Sequence, residues 1–420
     1  MRAEILSTGD EVRSGAVVDT NAAYIAEALE SQGIDVQRHI CVGDDIAIIA
    51  GELLAIAARA DLALVTGGLG PTADDVTAAA AARAAGVALV ERSEALTQVE
   101  RFFSTRGLEM SAANRKQALL PEGAAVLENP DGSAPGFRMT IGACRFYFLP
   151  GVPREMRPML SREVFGDLLS PQNSSGRIHR IDVLTTFGLP ESVVGEKLSD
   201  LPLPEGVHIG LRVRFPEIHV RIYSHAEGQA SCEKTVEPVI QAIKERLGRR
   251  VVSLRGGGLA ETLGSMLLER GATLALAESC TGGLMAKQLT DIAGSSGFFL
   301  LSAVTYANAA KTSVLNVSPA TLQRYGAVSE ATAREMAEGA RRAAGADYAL
   351  STTGIAGPEG GTAEKPVGTV CIGLATSDQT AAFRYVFPFG DRDMNRRVFA
   401  ATAFDRLRLL LAGELALELA

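Results

Sequence analysis

Residues 273–283 constrain the fold more than any other stretch of this chain. Thr273-Leu274-Ala275-Leu276-Ala277 is an apolar run of strand length that stops at Glu278-Ser279-Cys280-Thr281-Gly282-Gly283, and Leu284, Met285, Leu289 and Ile292 then recur at helical spacing. The same unit of strand, polar turn and helix is written elsewhere. In the first third, residues 3–7, 36–42 and 61–66 read as strands separated by helices over 21–32 and 46–60, with Gly33 as a helix stop. Strands that alternate with helices fold as a parallel, doubly wound sheet, and ligands lie beyond the carboxyl ends of its strands. The expected class is therefore α/β. At 420 residues the chain has room for more than one such unit. We expect a doubly wound domain over 1–170, a small α+β connecting domain over 171–255 and a second α/β domain over 256–420.

A polar turn between strand and helix carries backbone N–H groups without helical partners, which attract anions and oxyanions. Ser279 at such a turn has two readings: a nucleophile lifted above the sheet with amides behind it, or a helix cap. All five histidines (His39, His179, His208, His219 and His225) precede this stretch, so no imidazole from the C-terminal third can activate it. The downstream lysines are Lys287, Lys311 and Lys365. Lys287 stands about 12 Å along the helix axis from Ser279, out of hydrogen-bond reach. Lys311 follows a second strand over 298–306, and Tyr306-Ala307-Asn308-Ala309-Ala310-Lys311 would bring a phenol and an amine to one sheet edge. A buried amine with a lowered pKa can run a serine nucleophile. Cys280 is the weaker alternative, since adjacent residues of a strand turn point different ways.

The first domain has its own glycine-rich turn, Gly67-Gly68-Leu69-Gly70-Pro71-Thr72-Ala73-Asp74-Asp75. Glycines let amides approach a phosphate, and Asp74 or Asp75 could hold a divalent cation; a tight turn with an Asp-capped helix is the equal alternative. A polar loop over 129–136 and a strand-to-helix junction at Pro150-Gly151-Val152-Pro153-Arg154-Glu155-Met156 converge on the same sheet edge. Polar residues 170–176 mark a boundary. After them come a strand over 178–186, a hairpin over 207–222 that turns at Pro216-Glu217, and a helix over 230–247, with Arg212, Arg214 and Arg221 read as solvated on the hairpin's polar face. Gly256-Gly257-Gly258 reads as a hinge. In the last domain a helix over 259–270 leads into the pivotal strand, Ser329 caps a helix reaching about 344, and a strand over 347–352 opens into the glycine-rich loop 353–361. Arg392, Arg396 and Arg397 stand at the start of a closing helix, where they could bind a substrate phosphate.

A formal charge of −8 without a basic run argues weakly against general nucleic-acid binding, so small-molecule ligands are the expected partners. Five separated cysteines with no C-x-x-C pair fit reduced thiols in a cytoplasm. The N-terminus lacks the apolar core of a signal peptide, and no apolar run is long enough to span a bilayer.

Taken together, Ser7-Thr8-Gly9-Asp10-Glu11, the stretches 66–77, 129–136, 150–156, 277–283, 294–297, 306–311, 326–330, 353–361 and 365–368 resemble the CinA family, named for competence and damage induction, over nearly the whole chain. The resemblance implies a molybdopterin-binding-like first domain with metal-dependent ADP-ribose pyrophosphatase activity. It also implies a last domain that deamidates nicotinamide mononucleotide without a cofactor. Carried over residue by residue, it makes Ser279 the nucleophile and Tyr306 and Lys311 its activating partners. Thr281, Gly282, Gly283, Ser296, Thr353, Gly354 and one of Arg392 or Arg396 become substrate contacts. In the first domain it assigns Gly67, Gly68, Gly70 and Thr72 to the nucleotide phosphates, and Asp74, Asp75 and Glu155 to a divalent metal such as magnesium. Apolar helices and family habit together suggest a homodimer. The rival reading is a pterin- or nucleotide-binding regulatory protein, linked to competence or DNA damage, with one or both sites inactive.

Overall fold

The computed structural model of the chain describes residues 1–168 and 177–417, so the expected boundary at 170–176 lies outside the described residues. Two compact units emerge, Met1–Arg180 with His225–Cys232, and Ile181–Ser224 with Glu233–Ala420.

The first unit holds a six-stranded sheet in the order Asp35–Val42, Arg2–Thr8, Leu62–Thr66, Cys144–Leu149, Gly136–Ile141, Ala125–Leu127. The first four strands are parallel. Leu62–Thr66 is buried at every residue, as a strand covered on both faces must be. Ile5 and Leu64 pack with Ile25 and Leu29 of helix Thr20–Ser31 on one face. Leu6 and Val65 pack with Ile49, Leu53 and Ile56 of helix Ile46–Ala57 on the other. The sheet departs from an all-parallel one at its far edge, where the last two strands run antiparallel. Only Gly142 and Ala143 separate Gly136–Ile141 from Cys144–Leu149, and a connection that short permits no crossover.

The second unit contains a five-stranded sheet and most of a four-stranded one. A four-stranded sheet has the order Val207–Arg214, Glu217–Glu227, Arg177–Phe187, Val251–Ser253, and Val220 and Ile222 pack on helices Glu191–Leu198 and Gln229–Leu247. The hairpin is antiparallel as expected. One of its three arginines is not solvated, however: Arg212 and Arg214 are exposed, but Arg221 is buried with its guanidinium 5.3 Å from the Tyr223 ring.

The second sheet has the order Phe299–Val304, Leu274–Glu278, Tyr348–Gly354, Thr369–Ala375, Thr380–Val386; the first three strands are parallel and the last two antiparallel. Leu274 and Leu276 pack with Leu263 and Leu267 of helix Leu259–Arg270 and Phe399 and Leu407 of helix Arg392–Leu411. Ala275 and Ala277 face Met336, Ala337 and Ala340 of helix Glu330–Ala344. Ser329 caps that helix by accepting from the Thr332 amide at 3.2 Å. The strand Leu274–Glu278 thus lies between two helical layers, with its carboxyl end as the exit toward Ser279. Among the described residues no helix is long and apolar enough to cross a membrane.

Candidate active site

The chain leaves the Leu274–Glu278 strand at Ser279, whose amide donates to the Thr352 carbonyl of the neighbouring strand at 2.9 Å. Gly282 and Gly283 follow with φ of 58° and 88°, a left-handed pair that glycine adopts without strain and that swings the chain into helix Leu284–Thr290. Lys311, on helix Asn308–Leu315, points its Nζ at this turn and donates to Ser279 Oγ at 3.1 Å. The same Nζ donates to the Thr305 carbonyl at 2.8 Å and the Tyr306 carbonyl at 3.2 Å. Three neutral oxygens therefore meet its three donor positions, and no carboxylate is among them. Lys311 is only 1% exposed, and burial lowers its pKa from the ordinary 10.5 because desolvation disfavours the ammonium form. A hydroxyl and an amine biased toward neutrality stand in hydrogen-bond contact.

Most of the amides after Ser279 are engaged, which corrects the expectation of a turn of free N–H groups. Glu278, fully buried, turns its carboxylate onto them: Oε2 accepts from Gly283 N at 3.0 Å and Met285 N at 3.1 Å, and Oε1 from Ala286 N at 2.9 Å. Gly282 N donates to Ser279 O at 3.2 Å and Leu284 N to Thr281 O at 3.2 Å. Only the amides of Cys280 and Thr281 keep no acceptor among the described residues. Thr281 is itself buried, its Oγ1 sharing a hydrogen bond of 2.7 Å with Thr352 Oγ1. Burial pushes the Cys280 thiol up to about 12, which disfavours its thiolate.

Ser279, Lys311, Tyr306, Thr353, Gly354 and Arg392 line one pocket of 220 Å³. The expected pairing of phenol and amine is not formed. Lys311 is held by the Tyr306 carbonyl, while the Tyr306 hydroxyl accepts from Arg392 Nη2 at 3.2 Å and the side chain is 64% exposed. Arg392 Nη1 also donates to the Gly357 carbonyl at 2.7 Å, and Thr353 Oγ1 to the Ala327 carbonyl at 2.7 Å. Gly354 packs so closely that a Cβ there would lie 2.5 Å from the Thr369 carbonyl. The two candidate arginines separate cleanly: Arg392 lines the pocket, whereas Arg396 spends its guanidinium on the Thr281 carbonyl. Ser296 is exposed on the short turn Ser295–Gly297 and does not line the pocket.

In the first unit, a cavity of 550 Å³ opens beyond the carboxyl ends of the parallel strands and is lined by Gly67, Gly68, Gly70, Asp74, Asp75 and Glu155 among others. Gly67 has φ of 107°, and a side chain there would strike the Thr8 carbonyl, so the backbone itself forms the wall. Thr72, expected on the phosphates, is exposed and does not line the cavity; it donates through N at 2.8 Å and Oγ1 at 2.5 Å to Asp75 Oδ2. Glu155 accepts from Asn129 Nδ2 at 2.9 Å. Glu11, Asp19 and Asp44 also line the cavity, and burial, reinforced by the charges of Asp10, Glu11 and Asp74, raises the Asp44 pKa. Among the described residues no three acidic, histidine or cysteine side chains converge as a metal ligand set.

Residues 257–411 match the family model of the CinA C-terminal domain, 4–169 that of a probable molybdopterin binding domain, and 182–253 that of the damage-inducible protein CinA KH domain. A CinA-like protein of Desulfosudis oleivorans is 49% identical over 411 residues, covering 97% of this chain and 99% of that protein. The chain belongs to the CinA family. The CinA-like protein of Geobacter metallireducens is 46% identical over 409 residues, covering 97% of this chain and 98% of its own. A solved CinA superfamily protein from Klebsiella pneumoniae is 37% identical, covering 37% of this chain and 96% of its own with a TM-score of 0.36.

Two residues that shape the site of this CinA chain are given no role by the sequence reading. Asn395 is buried and its Nδ2 donates to the carbonyls of Ala356 and Phe389, each at 2.9 Å, tying the Thr353 loop to the last helix. Glu278 is the other. A carboxylate written at the end of an apolar strand has to find donors, and that requirement was the available clue.

Proposed function

We propose that the CinA C-terminal domain of this chain hydrolyses the carboxamide of nicotinamide mononucleotide, giving nicotinate mononucleotide and ammonia. The observation that supports this most directly is the 3.1 Å contact between Lys311 Nζ and Ser279 Oγ in a part of the chain that has no histidine. Neutral Lys311 takes the Ser279 proton as Oγ attacks the carboxamide carbon. The negative charge that develops on the amide oxygen falls to the amide of Cys280, which lines the pocket. The Lys311 ammonium then returns its proton to the departing nitrogen, ammonia leaves and an acyl ester remains on Ser279. Water, deprotonated by Lys311, cleaves the ester and restores the hydroxyl. At the other end of the substrate, Arg392 exchanges its neutral partners for the phosphate, beside Thr353. Tyr306 acts with Arg392 at the pocket wall and not on the Lys311 proton. Ammonia release from nicotinamide mononucleotide tests the assignment: Ser279→Ala abolishes it, and full turnover by that variant would remove Ser279 from the mechanism.

The first unit we read as a hydrolase of the ADP-ribose pyrophosphate, with the amides around Gly67, Gly68 and Gly70 on the phosphates. A magnesium ion is commonly held by one or two carboxylates completed by substrate phosphates, so a cavity without a preformed ligand triad fits it. Asp74 and Asp75 would hold the ion, which would supply neutralisation of pyrophosphate charge. ADP-ribose incubated with the protein, with and without chelator, tests this, and no cleavage in the presence of divalent cation would leave this half a binding module.

A further inference from the structure

We propose that Glu278 is the positioning residue of the nucleophile: its carboxylate, fastened to the backbone of the turn that it opens, holds Ser279 Oγ against Lys311. The inference rests on the Ser279–Lys311 reading above. Glu278 ends a strand whose residues are all buried and is itself 0% exposed. Withdrawing a carboxylate from water is costly unless its lone pairs are filled. Here they are filled by the Gly283, Met285 and Ala286 amides and by Ser302 Oγ at 3.2 Å. No lysine or arginine among the described residues forms an ion pair with it, so the backbone of the turn, with Ser302, carries the compensation.

Helix capping accounts for only part of this arrangement. A capping residue stands immediately before its helix. Glu278 stands ahead of the entire turn, so its bonds to Gly283, Met285 and Ala286 close a ring around Ser279, Cys280, Thr281 and Gly282. The ring is pinned elsewhere by Ser279 N on the Thr352 carbonyl and by Arg396 on the Thr281 carbonyl. The backbone of Ser279, and with it the origin of its side chain, cannot move away from Lys311 unless one of these ties breaks. The charge matters as much as the shape. A carboxylate already seated on these amides compensates their positive end, so they do not compete with Arg392 for the substrate phosphate.

Three variants of the full chain test the proposal. Glu278→Gln keeps the volume but turns an NH2 group against amide donors; Glu278→Asp keeps the charge with a shorter reach; Ser302→Ala removes only the hydroxyl bond. Each is read by thermal unfolding, by the rate at which a fluorophosphonate labels Ser279, and by kcat and KM for nicotinamide mononucleotide. The wild type is expected to label at Ser279. Folded Glu278→Gln should label more slowly and lose roughly tenfold to a hundredfold in kcat, since misplacing a reacting atom by about 1 Å costs about a hundredfold. Its KM should stay within about twofold, the pattern of a loss confined to the transition state. Glu278→Asp should recover part of both rates, and Ser302→Ala should stay near wild type. Glu278→Gln that is folded and labels at the wild-type rate overturns the positioning role and leaves the Ser279–Lys311 pair standing. A wild type unlabelled at Ser279 removes the pair, and this proposal with it. If Glu278→Gln does not fold, folded Glu278→Asp decides: slower labelling supports the proposal and unchanged labelling overturns it.

Discussion

Arg396 and Thr281 are joined by two hydrogen bonds, with Nε and Nη2 of the arginine both donating to the threonine carbonyl, at 3.1 and 2.7 Å. The bonds tie the helix Arg392–Leu411 to the turn that follows Ser279, although the two are far apart in sequence. One helical turn earlier, Arg392 faces the pocket with neutral partners only. The two arginines should therefore fail differently. Arg396→Ala loosens the turn and is expected to lower kcat by roughly tenfold to a hundredfold with little change in KM. Arg392→Ala removes a charge-assisted contact worth about 1.5–3 kcal/mol and should raise KM by roughly tenfold to a hundredfold. Steady-state kinetics on nicotinamide mononucleotide separates them, and a KM effect at Arg396 would mean that this guanidinium reaches the substrate.

The buried amine sets the pH dependence. The depressed pKa of Lys311 means that the neutral base appears as pH rises through that depressed value, so kcat/KM should climb with pH and level off below the ordinary lysine value of 10.5. Stability should move the same way. Between the folded value and 10.5 the unfolded chain binds the proton that the folded chain refuses, so unfolding free energy rises with pH across that window and is lowest beneath it. Lys311→Met should abolish the activity and flatten this part of the stability curve. Denaturant titrations from about pH 7 to about pH 10 measure the slope. An unchanged slope in Lys311→Met would assign it to another group.

Much of this site is legible from residue order. Strands buried on both faces, such as Leu62–Thr66 and Leu274–Glu278, announce themselves as apolar runs ended by hydroxyls and glycines. The absence of histidine after residue 225 points to Lys311 before any coordinates are seen. Sequence patterning does not reveal Thr380–Val386, an edge strand only partly buried that reads as neither a core run nor a clean alternation. Nor does it place side chains that choose between partners. Tyr306 and Lys311 do share a sheet edge, yet the phenol leaves toward Arg392 because the amine is already saturated by two carbonyls and Ser279. Arg392 and Arg396 share a face of one helix, and only the docking of that helix decides which meets the pocket and which the Thr281 carbonyl.

Cys280 offers a check on the identity of the nucleophile. Its sulfur sits beside Gly354 with its thiol pushed up to about 12, so almost no thiolate exists near neutral pH. Iodoacetamide should leave any ammonia release from nicotinamide mononucleotide intact. Cys280→Ala should keep activity within about threefold and cost about 1 kcal/mol of stability, the usual effect of a modest core truncation. Loss of activity in a folded Cys280→Ala protein, together with retained activity in Ser279→Ala, would transfer the chemistry to sulfur.

Gly339 tests the packing of the layer behind the strand. It lies inside helix Glu330–Ala344, where replacing glycine by alanine ordinarily stabilises by about 1 kcal/mol. Here the helix runs against the end of Asn308–Leu315, and an added Cβ would overlap the Leu315 carbonyl oxygen, a backbone atom that cannot rotate aside. Overpacking a close-packed interior costs typically about 1–3 kcal/mol, so the clash should win over the propensity gain. Leu315 ends the helix that carries Lys311, and any relief of the clash has to move that helix. Gly339→Ala should therefore lower the melting temperature and also slow fluorophosphonate labelling of Ser279, whereas Gly51→Ala, at an open helical position, should do neither. A stabilised Gly339→Ala protein with normal labelling would show that the two helices can separate without disturbing the amine.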